Sequence, residues 1–335
     1  MNSGNFPTTR MRRNRKNNAI RNLVQENIVT VHDLVYPVFV VEGNNRREEI
    51  KSLPNQYRVS IDKLLDIAHE CIELGISGIA LFPMIETVKN EASMLDSFNP
   101  DGLIPRAIKA LKSNYPELLV FTDIALDGYT HDGHDGVSDN GDVLNDLTVD
   151  LLIKQAICHA HSGADFVCPS DMMDGRIVKI RKALDNSGFI NVGIMAYSAK
   201  YASSLYGPFR DATGAMSKLG VQGKKTYQMN PANVEEALHE VALDINEGAD
   251  IVMVKPGTLY LDVLYRVRTM FKKPTAIYHV SGEYAMLKFA AQSGIIDYNR
   301  AIIETMLSFK RAGANIIWTY SAIDIAKLLN HRYNL

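Results

Sequence analysis

Four times in this chain a glycine leads at once into a short apolar run: Gly75-Ile-Ser-Gly78-Ile-Ala, Gly163-Ala-Asp-Phe-Val, Gly248-Ala-Asp-Ile-Val and Gly313-Ala-Asn-Ile-Ile. Glycine at the end of a helix supplies the left-handed backbone of a C-cap, and a β-branched run directly after it reads as a buried strand. A helix that ends where a strand begins, repeated along one chain, describes βα units in series rather than two unlike domains. At 335 residues either two domains or one large barrel would fit, and the recurrence favours the barrel.

Apolar runs predict strands at residues 36–41, 78–83, 118–123, 165–169, 191–197, 250–255, 275–280 and 315–319. Amphipathic segments at 61–74, 147–162, 233–247, 259–271, 283–293 and 298–312 separate them as helices. Eight such units predict an α/β fold, a single (β/α)8 TIM barrel over residues 31–335, with residues 1–30 as an extended N-terminal arm.

Composition sets the surroundings. A hydrophobic content of 46%, a charged content of 22% and a net charge of −2 are those of a globular chain, and no apolar run approaches the ~18 residues that would cross a bilayer. Cys71, Cys158 and Cys168 are scattered and odd in number, which argues against a disulfide framework or a thiolate zinc site and for a reducing, cytoplasmic setting. Arg10, Arg12, Arg13, Arg15 and Lys16 make the arm basic, but no aromatic interleaving or nucleic-acid motif accompanies them. Neither nucleic acid nor a membrane is expected as a partner; the arm reads as a solvated or partner-docked tail.

Two strands end on lysine. Gly193-Ile-Met-Ala196 leads to Lys200, and Ile251-Val-Met-Val254 leads directly to Lys255, Pro256 and Gly257. An amine at the mouth of a buried strand is partly desolvated, which lowers its pKa and makes it a nucleophile toward carbonyl carbon. The stretch from Met195 to Arg210 holds no carboxylate to neutralise Lys200, so two lysines facing one pocket would each disfavour protonation of the other. In a barrel both lie at the catalytic mouth, where Asp123 closes the third strand, Ser281 follows the seventh and Tyr320 follows the eighth. The long connection over about 200–230, with Gly207, Gly214, Gly220 and Gly223, reads as an active-site lid carrying Arg210, Lys224 and Gln228. Two amines among donors suited to carboxylates imply a carbonyl-bearing acid as substrate.

The strings Tyr36-Pro-Val-Phe-Val-Val-Glu-Gly43, Ser52-Leu-Pro54, Tyr197-Ser-Ala-Lys-Tyr-Ala-Ser-Ser-Leu-Tyr-Gly-Pro-Phe-Arg210, Tyr227-Gln-Met-Asn-Pro231, Gly248-Ala-Asp-Ile-Val-Met-Val-Lys-Pro-Gly257, Tyr278-His-Val-Ser-Gly-Glu-Tyr-Ala-Met286 and Lys310-Arg-Ala-Gly-Ala314 resemble the porphobilinogen synthase (5-aminolaevulinate dehydratase) family. The resemblance implies a lyase that condenses two molecules of 5-aminolaevulinate into porphobilinogen with loss of two waters, on the route to haem. It implies that Lys255 forms a Schiff base with the substrate supplying the propionate arm and that Lys200 engages the second substrate. By the same resemblance Ser281 and Tyr320 hold the first carboxylate. Arg210 and Gln228 hold the second, beside Lys224 where family members commonly have arginine.

Many members of that family bind a catalytic zinc through three cysteines after the third strand. Here Ala125, Asp127 and Asp135 stand at those positions, so a catalytic zinc is not expected, although His131 and His134 keep a zinc reading open. Asp127 and Asp135 suit a harder cation. The sequence is similar to the magnesium-responsive branch, which implies an allosteric Mg²⁺ at Glu240 and a homo-octamer embraced by N-terminal arms. A class I Schiff-base aldolase of the TIM-barrel type is the alternative, since it also needs a strand-end lysine. The loops at His279-Val-Ser-Gly282 and Thr319-Tyr-Ser-Ala322 offer little glycine for the phosphate nest such an enzyme would use.

Overall fold

The computed structural model describes residues 4–86, 91–214 and 223–330. Eight parallel strands close on themselves: β1 (Leu34–Val41), β2 (Gly78–Met84), β3 (Leu119–Ile124), β4 (Phe166–Pro169), β5 (Gly193–Lys200), β6 (Ile251–Lys255), β7 (Thr275–His279) and β8 (Ile316–Thr319). Each pairs with the next, and Leu34 and Val35 of β1 pair with Ile317 and Trp318 of β8 to complete the barrel. Among the four glycines of the sequence motif, Gly248 and Gly313 are C-caps of the helices Glu235–Glu247 and Tyr298–Ala312 with φ of 110° and 111°, a backbone that a side chain would strain.

The apolar residues sort into two layers. Ile194, Ala196, Val252, Val254, Ile277 and Ile317 face outward into the packing between strands and helices. Phe39, Phe82, Phe121, Met195, Tyr197, Met253, Tyr278 and Trp318 fill the lumen as interlocking rings and thioethers. Strand alternation assigns each residue to its layer.

One irregularity decides where the site lies. Ile251 and Val252 pair with Met195 and Ala196, but Val254 and Lys255 pair with Ala199 and Lys200, so β5 carries one extra residue against β6. Alternation beyond Tyr197 would send Ala199 inward and Lys200 out among the helices. The bulge reverses that: Ala199 packs in the outer layer and Lys200 turns into the lumen. Lys200, expected just past the fifth strand, is thus its last residue.

A short antiparallel hairpin, Arg47–Glu49 with Tyr57–Val59, was not anticipated. Its second strand pairs with the upper half of β1, Arg58 opposite Phe39 and Val59 opposite Val40. In the N-terminal segment a 3-10 turn at Met11–Arg15 and a short helix at Asn18–Leu23 contain no buried residue. The lid expectation falls in part on 215–222, outside the described residues.

Candidate active site

Lys255 ends β6 inside a cage of rings. Its Nζ lies 4.6 Å from the ring centre of Tyr278, 4.9 Å from Tyr197 and 5.3 Å from both Tyr206 and Phe209. Only 6% of the residue is exposed. Burial pulls the ammonium down to about 7, the nearby Lys200 adds to the effect, and Asp123, Asp127 and Asp135 oppose it. A free amine is therefore accessible at neutral pH.

Lys200 is buried as well. Its Nζ donates to the Ser170 carbonyl and lies 3.7 Å from Asp135 Oδ1. The carboxylate absent from its own stretch of sequence thus arrives from the loop after β3. Asp135 Oδ1 is also 3.1 Å from Lys224 Nζ, which lies 3.1 Å from Asp127 Oδ2. Basic and acidic side chains alternate through Lys200, Asp135, Lys224 and Asp127. Burial alone would depress Lys224, but Asp127 and Asp135 outweigh it and raise its pKa, so this ammonium stays charged.

Asp123 faces the same lumen from β3. Burial and the charge of Asp127 push its carboxyl up to about 7, against Lys200, a hydrogen bond from Ser170 and Lys255. Its Oδ1 is buried without a hydrogen-bond partner. Asp123 is pushed up to about 7 and Lys255 pulled down to about 7, so an acid and an amine that both exchange protons at neutral pH face one lumen. Such a pair protonates a departing hydroxyl and leaves a free nucleophile at the same pH.

The remaining expected residues surround this centre. Ser281 Oγ accepts from Phe209 N at 3.0 Å and donates to the Leu205 carbonyl at 3.3 Å, which ties β7's exit to the helix Gly207–Ala212. Tyr320 is buried, its hydroxyl 2.9 Å from that of Tyr278, and burial raises its pKa. Gln228 is 4% exposed and its Oε1 is buried without a hydrogen-bond partner among the described residues. Arg210 is half-buried on Gly207–Ala212 and makes no ion pair among the described residues. His134 hydrogen-bonds through Nδ1 to Tyr227 Oη at 3.1 Å, whereas His131 is exposed.

Glu240 lies elsewhere, in a cavity of about 560 Å³ that it lines with Glu236, Asp142, Asp174 and the edge of Gln228. Burial raises its carboxyl pKa, Arg176 opposes, and Asp244, Asp174 and Glu236 add to the rise. Several carboxylates around a roomy cavity fit a hydrated magnesium, which keeps most of its waters. The zinc position does not fit its metal. Ala125 offers no ligand, and Asp127 and Asp135 already hold the Lys224 ammonium.

Sequence reasoning missed the cage of Tyr197, Tyr206, Phe209 and Tyr278, although the tyrosine density between Tyr197 and Tyr206 was the available signal. It also missed Gln56, which donates to the Tyr320 carbonyl at 3.1 Å and the Tyr284 hydroxyl at 3.2 Å while accepting from Tyr36 at 2.7 Å. No local pattern marks such a residue, because its partners come from distant segments.

Comparison with known proteins agrees with this geometry. The family model for delta-aminolevulinic acid dehydratase matches residues 8–328. Enzymes carrying that name are similar at 49% identity in Bradyrhizobium diazoefficiens, covering 96% of this chain and 90% of the relative, and at 48% in Methanothermus sociabilis, covering 96% and 99%. A crystal structure of delta-aminolevulinic acid dehydratase (porphobilinogen synthase) from Toxoplasma gondii, in complex with the reaction product porphobilinogen, superposes with a TM-score of 0.92 at 51% identity, over 95% of this chain and 91% of that one. With the model match spanning nearly the whole barrel, the chain belongs to the delta-aminolevulinic acid dehydratase family.

Proposed function

We infer that this chain is a porphobilinogen synthase: it joins two molecules of 5-aminolaevulinate into porphobilinogen and releases two waters. The observation that carries the reading is the depressed Lys255 amine in the lumen that also receives Lys200. We assign Lys255 the Schiff base. Its free amine attacks the C4 carbonyl, protonated Asp123 gives its proton to the carbinolamine hydroxyl, and water leaves. The ring cage excludes bulk water from the imine, and the resulting carboxylate of Asp123 can take a proton back from carbon. Lys200 engages the second substrate, with Asp135 and Lys224 holding the surrounding charge fixed. Ser281 and Tyr320 bind the first carboxylate, Arg210, Gln228 and Lys224 the second.

Glu240 is our assignment for an activating magnesium, held through its waters with the neighbouring carboxylates, where it would neutralise charge away from the reaction. We further propose that the enzyme is cytoplasmic and assembles as a homo-octamer through its N-terminal arms. Apolar side chains left exposed there, Phe6, Met11, Leu23 and Ile28, support a docked arm. No helix among the described residues is long and apolar enough to cross a membrane.

The direct test is turnover of 5-aminolaevulinate to a pyrrole, with Lys255→Ala inactive; full turnover by that variant contradicts the assignment. For magnesium, Glu240→Gln should remove the metal's effect on rate and on particle size. An unchanged response would move the metal elsewhere.

A further inference from the structure

The six-residue helix Gly207–Ala212 that carries Arg210 is too short to hold itself in water. Its N-terminal half is fixed by packing: the Phe209 ring lies 5.6 Å from Phe39 and 5.2 Å from Phe82, and Phe209 N donates to Ser281 Oγ. Its C-terminal end has a different support, from the unanticipated hairpin. Arg58 Nε donates to the Ala212 carbonyl at 2.7 Å and Nη2 to the Asp211 carbonyl at 2.7 Å. Nη2 also lies 3.8 Å from Asp211 Oδ1, and Ser52 Oγ donates to Asp211 Oδ2.

This is a planar fork closing on the last carbonyls of a helix, where a positive charge also meets the negative end of the backbone dipoles. The backbone of Arg58 is anchored to the barrel wall, because its strand pairs with β1 opposite Phe39, and Phe39 stacks on Tyr320 with ring centres 5.9 Å apart. The fork thus measures the helix end against the barrel wall. Arg210 is left free of any ion pair among the described residues, directly before the two residues whose carbonyls the fork holds.

We propose that Arg58 is a positioning residue for Arg210, fixing the end of the Arg210 helix so that the guanidinium meets the carboxylate of the second substrate. The proposal rests on the reading of Arg210 as a carboxylate binder. Arg58 touches no substrate. Its removal should weaken binding of the second molecule and spare the chemistry at Lys255, whose cage ring Phe209 has its own supports.

The test compares Arg58→Ala, Arg58→Lys, Arg210→Ala and the double variant Arg58→Ala/Arg210→Ala, with 5-aminolaevulinate as probe. Expected for Arg58→Ala is a rise of about tenfold in the concentration giving half-maximal rate, with kcat changed less than about threefold. Borohydride trapping at Lys255 should keep its pH midpoint. Arg58→Lys, which retains the charge and one donor, should lose about threefold, and it carries the comparison if the alanine variant does not fold. In the Arg210→Ala background, removing Arg58 should add less than about twofold. If Arg210→Ala raises the half-maximal concentration and neither Arg58 variant does, Arg58 has no such role and the reading of Arg210 stands. If Arg210→Ala is itself silent, that reading falls and the proposal with it. An equal Arg58 penalty with and without Arg210 also overturns the proposal.

Discussion

Lys200 and Lys255 are register partners on the last rung of adjacent parallel strands, brought to the same wall of the lumen by one extra residue in β5. Lys200 is among the causes that depress Lys255, yet its own charge is met by Asp135 at 3.7 Å. Similar side chains thus enter different environments: Lys255 a cage of rings, Lys200 the neighbourhood of Asp135 and the Ser170 carbonyl.

Burying an amine costs stability, and this cost has a sign that can be measured. The folded-state pKa of Lys255 lies near 7 against an ordinary 10.5, so between those values the unfolded chain binds more protons than the folded one. Stability from this group therefore rises with pH from about 7 to 10.5. Lys255→Met should be more stable than the parent at pH 7 by about 1–4 kcal/mol, with the gain shrinking toward pH 10. Denaturant melts at the two pH values check it.

Asp135 holds charge for both Lys200 and Lys224, and it favours the protonated form of Lys255. Asp135→Asn should destabilise the fold by about 3 kcal/mol, because two buried ammonium groups lose a partner. It should also move the acid limb of the rate profile to lower pH, since Lys255 then sheds its proton more easily. A pH–rate profile of the variant separates the two effects.

Two buried imidazoles predict the acid edge of stability. Burial pulls His159 and His279 down to about 3, so both stay neutral in the fold while the unfolded chain gains their protons below about 6.5. Their contribution is full above 6.5 and is lost as pH falls toward 3. Neither nitrogen of His159 has a hydrogen-bond partner among the described residues. His159→Leu should then flatten the loss by about 1.4 kcal/mol per pH unit between pH 6 and 4. Urea titrations across that range measure it.

How far the sequence led depends on whether a signal is local. The eight strands lie within two or three residues of their expected positions, because each is a compact apolar run entered from a helix end. Lys255 was legible as a strand-end amine. Lys200 was expected at the same mouth, but the device that turns it inward was not legible, since the bulge between Ala196 and Ala199 leaves no mark in hydrophobic periodicity. The hairpin Arg47–Glu49 with Tyr57–Val59 escaped because strands this short and charged show no alternation. Gln56 and Arg58 escaped for another reason, as did the pairing of Asp135, named only as a cation ligand, with Lys200 and Lys224: each acts through partners far along the chain.

The central claim is that Lys255 is an amine that loses its proton near pH 7 and is poised for imine formation in a ring-lined pocket. It is tested by mixing the enzyme with 5-aminolaevulinate across a pH series, reducing with borohydride and locating the adduct by peptide mass spectrometry. The account predicts an adduct on Lys255 whose yield reaches half its maximum near pH 7. Trapping that requires a pH near 10, or an adduct confined to other lysines, would contradict it.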